Sequence, residues 1–195
     1  MTALVQDAIF SRSPSAVKRT GLFVGGRDVK MAIDMLRLAR KSMVPDFGFE
    51  ISALADPSGS FTTAAAMVAM VERELAERFD TGLAGKNVLA LGGTGPVGQI
   101  AAVLAAKSGA HVRIVGRQLE KAQRVAELCN QEYGGGQTGI VGDADANKSE
   151  LIRTADVVFA TAAAGIEVLS RELVAAGPQL KVAADVNAVP PPGIA

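Results

Sequence analysis

The chain has little of what several function classes require. In 195 residues it holds one cysteine (Cys129), one histidine (His111), one tyrosine (Tyr133) and no tryptophan. A lone cysteine excludes an intrachain disulfide, and with a lone histidine it leaves no metal site of the usual ligand type. Gln137 stands four positions after Tyr133, so the Tyr-x-x-x-Lys pair of short-chain dehydrogenases is missing. The 20 basic and 20 acidic residues cancel, which argues against nucleic-acid or anionic-membrane partners. No apolar run is long enough for a bilayer, and the first residues lack the apolar segment of a signal peptide, so the cytoplasm is the expected location.

What is present is apolar and regular. Hydrophobic residues make up 49% of the chain and charged residues 21%, enough for a sizeable core. The organising stretch is residues 88–102. A short apolar run, Val88-Leu89-Ala90-Leu91, enters Gly92-Gly93-Thr94-Gly95-Pro96-Val97-Gly98, and a small-residue helical pattern follows. Gly93, Gly95 and Gly98 stand at G-x-G-x-x-G spacing. The first allows a tight turn, the second lets backbone approach a pyrophosphate, and the third lets the helix pack close to the strand. Thr94, Pro96 and Val97 lie within the same loop and helix start, where free N–H groups face the phosphates.

The following strand, residues 111–115, runs into Gly116-Arg117-Gln118-Leu119-Glu120-Lys121. NAD sites usually carry an acid at this strand end to hold the ribose 2′-hydroxyl. Here Gly116 or Arg117 occupies that place. Arg117 offers a planar fork of donors to a 2′-phosphate, and Lys121 adds a second cation one helical turn on. NADP is therefore the expected cofactor, with NAD as the alternative.

Taken in order, residues 21–24 read as a strand and 29–43 as a helix with Met31, Met35, Leu38 and Ala39 inward. The methionines read as core filler. Residues 49–55 form a second strand. Asp56-Pro57-Ser58-Gly59-Ser60 is a turn, with Ser60 capping a helix to residue 79 whose Ala64, Met67, Val68, Val71 and Leu75 face inward. Residues 80–85 mark a boundary, giving domains 1–82 and 83–195. Beyond it, strands at 87–91, 112–115, near 140, 157–160 and 181–185 alternate with helices at 96–108, 119–133, 149–154 and 167–175. Such alternation predicts a Rossmann-type, doubly wound parallel α/β sheet, with a partial second α/β domain before it. Cys129 falls at helical spacing with Leu119, Ala122 and Ala126, so it reads as core. Ligands of these sheets bind beyond the carboxyl ends of the strands. That adds Thr161, Ala162 and Ala163 to the cofactor candidates. Asp185 and Asn187, before a prolyl run, either orient substrate or nicotinamide or form an Asx turn.

Four segments carry a family resemblance: residues 22–26 (Leu-Phe-Val-Gly-Gly), 56–66 (Asp-Pro-Ser-Gly-Ser-Phe-Thr-Thr-Ala-Ala-Ala), 92–98, and 185–194 (Asp-Val-Asn-Ala-Val-Pro-Pro-Pro-Gly-Ile). Together and in order, they resemble the bacterial NAD(P)-dependent methylene-tetrahydromethanopterin dehydrogenases. The resemblance implies a homo-oligomer with the one-carbon pterin in a cleft between two domains. It implies oxidation of a methylene bridge to a methenyl bridge, with hydride passing to the nicotinamide. No proton must leave, so positioning carries most of the catalysis, and no catalytic base is assigned. On this reading Asp56 and Asp185 would stabilise the developing cation, while Ser58, Ser60, Thr62 and Thr63 would contact the pterin. The alternative for the threonine pair is helix capping. The alternative functions are a methylene-tetrahydrofolate dehydrogenase and a non-catalytic NADP-binding module. Family members extend beyond both ends of this sequence. The chain is thus expected to bind NADP, turn over pterin poorly, and expose apolar surface on Phe23, Ile51 and Leu54.

Overall fold

The computed structural model describes residues 1–187 and 189–195. It divides into two compact units, Met1–Phe61 and Thr62–Ala195. In the first, helices α1 (Thr2–Phe10) and α2 (Pro14–Val17) precede strand β1 (Gly21–Val24), helix α3 (Val29–Lys41) and strand β2 (Ser52–Ala55). The two strands pair in parallel, Gly21 opposite Ser52 through Val24 opposite Ala55. Asp28 caps α3 by accepting a 2.9 Å hydrogen bond from the Met31 N–H. The small cores of this unit join Val5, Ile9, Val17, Ala39 and Ile51, and Val24, Ala32 and Ala55.

The face that α3 buries differs from expectation. Val29, Ala32 and Ala39 are buried, whereas Met31 is 61%, Met35 36% and Leu38 44% exposed. Two apolar stripes run along this helix at helical spacing, 29/32/36/39 and 31/35/38, so periodicity alone does not choose between them. The stripe with small residues lets the helix lie close to the short strands. The methionines are therefore not core filler. Phe23 and Leu54, paired across the sheet, are exposed as expected, but Ile51 is buried.

Helix α4 (Ser60–Phe79) follows the turn. Its start is capped by Asp56, whose Oδ1 accepts from the Phe61 N–H at 2.8 Å. Ser60 is not the cap. It lies in the helix, fully buried, and its hydroxyl donates to the Pro57 carbonyl at 2.6 Å. Ala64, Met67, Val68, Val71 and Leu75 are buried and belong to the main core of the second unit. The units consequently divide at the first turn of α4; the boundary expected at residue 82 lies past its other end.

The second unit is a five-stranded parallel sheet of order β5-β4-β3-β6-β7. Its strands are β3 (Asn87–Leu91), β4 (His111–Gly116), β5 (Val141–Ala144), β6 (Val157–Ala160) and β7 (Val182–Asp185). Helices α5 (Pro96–Lys107), α6 (Leu119–Leu128), α7 (Lys148–Leu151) and α8 (Arg171–Ala175) alternate with them. β6 is buried along its whole length and β3 from Val88 onward, as central strands covered on both faces should be. Ala101, Ala102 and Ala105 bring α5 close to the sheet. On the edge strand, a Cβ at Gly142 would run into the backbone of Ala122 and Gln123, so α6 sits directly against β5. Two helices are shorter than their sequence pattern. After Leu128 the chain widens into a π-helical turn, Cys129–Tyr133. Residues before Arg171 are not helical because Leu169 is buried and bridges to Ile194, and Ser170 caps α8. Cys129 is fully buried, as the sequence indicates.

Candidate functional site

The strand order turns back between β3 and β6, and the loops leaving those strands meet there. This is the switch point at which open parallel sheets bind ligands. The loop after β3 is stitched into place. The Gly93 N–H donates to the carbonyls of Ala90 (3.1 Å) and Val115 (3.2 Å), and the Gln99 amide donates to the Thr94 carbonyl at 2.9 Å. Gly98 is demanded by packing: a Cβ there would stand 2.5 Å from the Gly93 Cα and 2.6 Å from the Thr161 Oγ1. Gly95, the N-cap of α5, differs. Its Cβ would meet nothing nearer than 3.6 Å, so the protein's own packing does not require glycine there. A phosphate approaching the backbone closely would require it.

Two adjoining cavities share Thr94 and Arg117. One, of about 380 Å³, is lined by Thr94, Arg117, Gln118 and Lys121. The other, of about 400 Å³, is lined by Gly92, Thr94, Gly95, Val115, Gly116, Arg117, Asp145, Lys148, Thr161, Ala162, Ala163, Ile166, Glu167 and Val168. The structure thus brings together most of the cofactor candidates. Arg117 and Lys121 have no ion-pair partner among the described residues, although Lys121 lies in the first turn of α6, where a cation is unfavourable without an anion nearby. Thr161 is buried and its hydroxyl donates to the Leu91 carbonyl at 3.0 Å, tying β6 to β3 beneath the cavity. Asp145 and Lys148, an ion pair at 3.1 Å, are lining residues that the sequence reading missed. The signal available was their place just after β5, at a strand's carboxyl end.

The remaining candidates lie elsewhere. Asp185 accepts from the N–H groups of Gly193 (2.7 Å), Asn187 (2.9 Å) and Ile194 (3.3 Å). Asn187 accepts from Val189 N–H and donates to the Pro191 carbonyl, both at 3.1 Å. This is the Asx-turn alternative: both side chains shape the terminal loop, and neither lines the two cavities. Ala188 of that motif lies outside the described residues. In the first unit, Asp56 caps α4 and the Ser58 hydroxyl donates to the Gly26 carbonyl at 3.0 Å. Ser58 has φ +54°, a left-handed conformation that costs a non-glycine residue energy. Thr62 and Thr63 are exposed on the first turns of α4. Among the described residues no group of three or more His, Cys, Asp or Glu is placed to hold a metal.

Residues 1–58 match the family profile described as methylene-tetrahydromethanopterin dehydrogenase, N-terminal, and residues 74–191 that described as shikimate / quinate 5-dehydrogenase. All of this chain aligns, at 42% identity over 196 residues, with the NAD(P)-dependent methylenetetrahydromethanopterin dehydrogenase of Methylorubrum extorquens. Residues 74–191, more than half of the chain, place it in the shikimate / quinate 5-dehydrogenase family, and its similarity to the methylene-tetrahydromethanopterin dehydrogenases runs along its whole length. A second relative from the same organism, the bifunctional protein MdtA, is 35% identical over 98% of this chain. The chain spans 65% of the length of both curated relatives. Among solved structures, a dipicolinate synthase from Bacillus halodurans matches with TM-score 0.56 and 24% identity, over 70% of this chain and 41% of that one. An L-alanine dehydrogenase matches with TM-score 0.55 and 19% identity, over 94% and 55%. These two likenesses concern the fold alone, and the fold is the α/β, Rossmann-type one that the sequence predicts.

Proposed function

We propose that this chain forms the dinucleotide and pterin sites of a dehydrogenase that passes hydride from methylene-tetrahydromethanopterin to NADP, leaving the methenyl form. The observation that carries the cofactor half is a pair of cations without an ion-pair partner among the described residues: Arg117 lines both cavities, the one with Gly95 and the adjoining one with Lys121, and the end of β4 carries no carboxylate. The relative's name, NAD(P)-dependent, supports the same choice, with NAD as the second cofactor. On this reading residues 83–195 hold the dinucleotide: Gly93 to Gly98 face the pyrophosphate, Arg117 and Lys121 the 2′-phosphate, and Ala162 and Ala163 the ribose or nicotinamide. NADP supplies the hydride acceptor.

Residues 1–82 are assigned the pterin, through Asp56, Ser58, Thr62 and Thr63. The substrate's bridging nitrogens supply the electron pairs that expel hydride, so the protein's part is to hold two partners in reactive orientation and to favour the amidinium that forms. Asp56 is the carboxylate assigned to that charge. Ser60, Asp185, Asn187 and Thr161 are positioning residues, because their hydrogen-bonding groups hold the turns that present the others. A cytoplasmic homo-oligomer completes the reading, supported by the apolar Met31, Phe23 and Leu54 on the surface of the first unit.

Titrating NADP and NAD into the chain and into Arg117→Ala tests the cofactor assignment. A charged hydrogen bond to phosphate contributes about 1.5–3 kcal/mol. The variant should therefore bind NADP about 10- to 100-fold more weakly and leave NAD nearly unchanged. Equal losses for both dinucleotides would remove Arg117 from the site.

A further inference from the structure

We propose that Thr94 is a specificity-determining residue. Its methyl group fills the space that a carboxylate-bearing side chain at position 116 would need, so the glycine loop itself enforces selection of a 2′-phosphate over a 2′-hydroxyl. The inference rests on the dinucleotide reading above and deepens it. Gly116 is the last residue of β4, where NAD sites usually carry their acid. It is not among the residues with positive φ, so its backbone does not require glycine. What requires it is a neighbour. A Cβ at position 116 would stand 2.8 Å from the Thr94 Cγ2, 3.8 Å from its Oγ1 and 3.6 Å from the Ala122 Cβ.

Thr94 has no long side chain to swing aside. A β-branched residue has only χ1 to turn, so a Cβ at 116 is accommodated only if Thr94 changes rotamer and turns its Hβ toward the strand end. Its backbone is also held: the Gln99 amide grips the Thr94 carbonyl, and the Gly93 N–H is bonded to Ala90 and to Val115, on β4 itself. The loop cannot retreat from the strand end without losing those bonds. Thr94 and Gly116 line the same cavity as Arg117. The acid is therefore not simply missing from this site; a substitution that restores it at 116 must also displace the Thr94 methyl.

The test is a double-mutant cycle on the chain, with Gly116→Asp, Thr94→Ala and the double variant, titrated with NAD and NADP. Gly116→Asp alone should weaken both dinucleotides, because it disturbs the loop. In the Thr94→Ala background the same substitution should strengthen NAD about ten-fold and weaken NADP by more than that. Gly116→Ala, which adds only the Cβ, gives a second readout: it should lower Tm when Thr94 is present and leave Tm unchanged when it is alanine. Equal shifts in both backgrounds, or failure of Gly116→Asp to fold in either, overturns the role of Thr94 while NADP binding by the unaltered chain keeps the dinucleotide reading. If the unaltered chain binds neither dinucleotide, both fall.

Discussion

At the scale of single residues, Cys129 shows how environment decides reactivity. It is fully buried, its Sγ 4.0 Å from the Gln99 carbonyl, and burial pushes its thiol up to about 12. The thiolate is the reactive form, so in the folded chain almost none exists near neutral pH. A maleimide reagent at pH 8 should label Cys129 only as fast as the protein opens. Labelling at the rate of a free thiol would contradict the packing. Residue-level legibility was uneven for a physical reason. The G-x-G-x-x-G spacing was readable because it encodes a steric demand that travels with the residues, and Gly98 meets it against Gly93 and Thr161. The cap of α4 was not, because Asp56 and Ser60 are both capping residues, and only three-dimensional geometry shows which carboxylate or hydroxyl reaches the Phe61 N–H.

At the scale of elements, Asp156 fastens the starts of three neighbouring strands. Its carboxylate accepts from the Lys181 Nζ at 2.6 Å and from the Asn87 N–H at 3.0 Å, just before β7 and at the start of β3. Burial alone would raise its pKa. The hydrogen bonds from Lys181 and Asn87, with the charges of Lys181 and Lys86, outweigh that and hold it below the ordinary carboxylate value. A folded value below the unfolded one, about 3.9, means the contribution is complete above that pH and drains away as pH falls through the folded value. Asp156→Asn should therefore cost about 1–2 kcal/mol near neutrality. Its Tm deficit should shrink as pH drops below about 4. A deficit independent of pH, followed by circular dichroism, would show that the charge contributes nothing. The strands of the sheet were legible because fully buried parallel strands are plain apolar runs, as in Val157–Ala160. α3 was not fully legible, since two apolar stripes competed and the smaller one won the contact with the sheet. α8 was overestimated because the bridge from Leu169 to Ile194 is a contact between distant parts of the chain that local pattern does not contain.

At the scale of the whole molecule, the two units differ in how much they can bury. One has a five-stranded sheet whose central strands are covered on both faces; the other has two short strands with Phe23 and Leu54 exposed. Amide exchange should reflect that. Amides of β3 and β6 should exchange at least about 100-fold more slowly than those of β1 and β2, because local opening costs less where few apolar groups are covered. Equal protection throughout would mean that the small unit is stabilised by contacts not seen in its own cores. The close seat of α6 on Gly142 has a consequence of a different kind. Lys121 directly precedes the Ala122 and Gln123 backbone that Gly142 touches, and Arg117 stands just before the helix, so the edge strand is the seat under the two charges proposed to read the phosphate. Drift at position 142 is then constrained not only by the sheet it belongs to but by the placement of the cations on the adjoining turn.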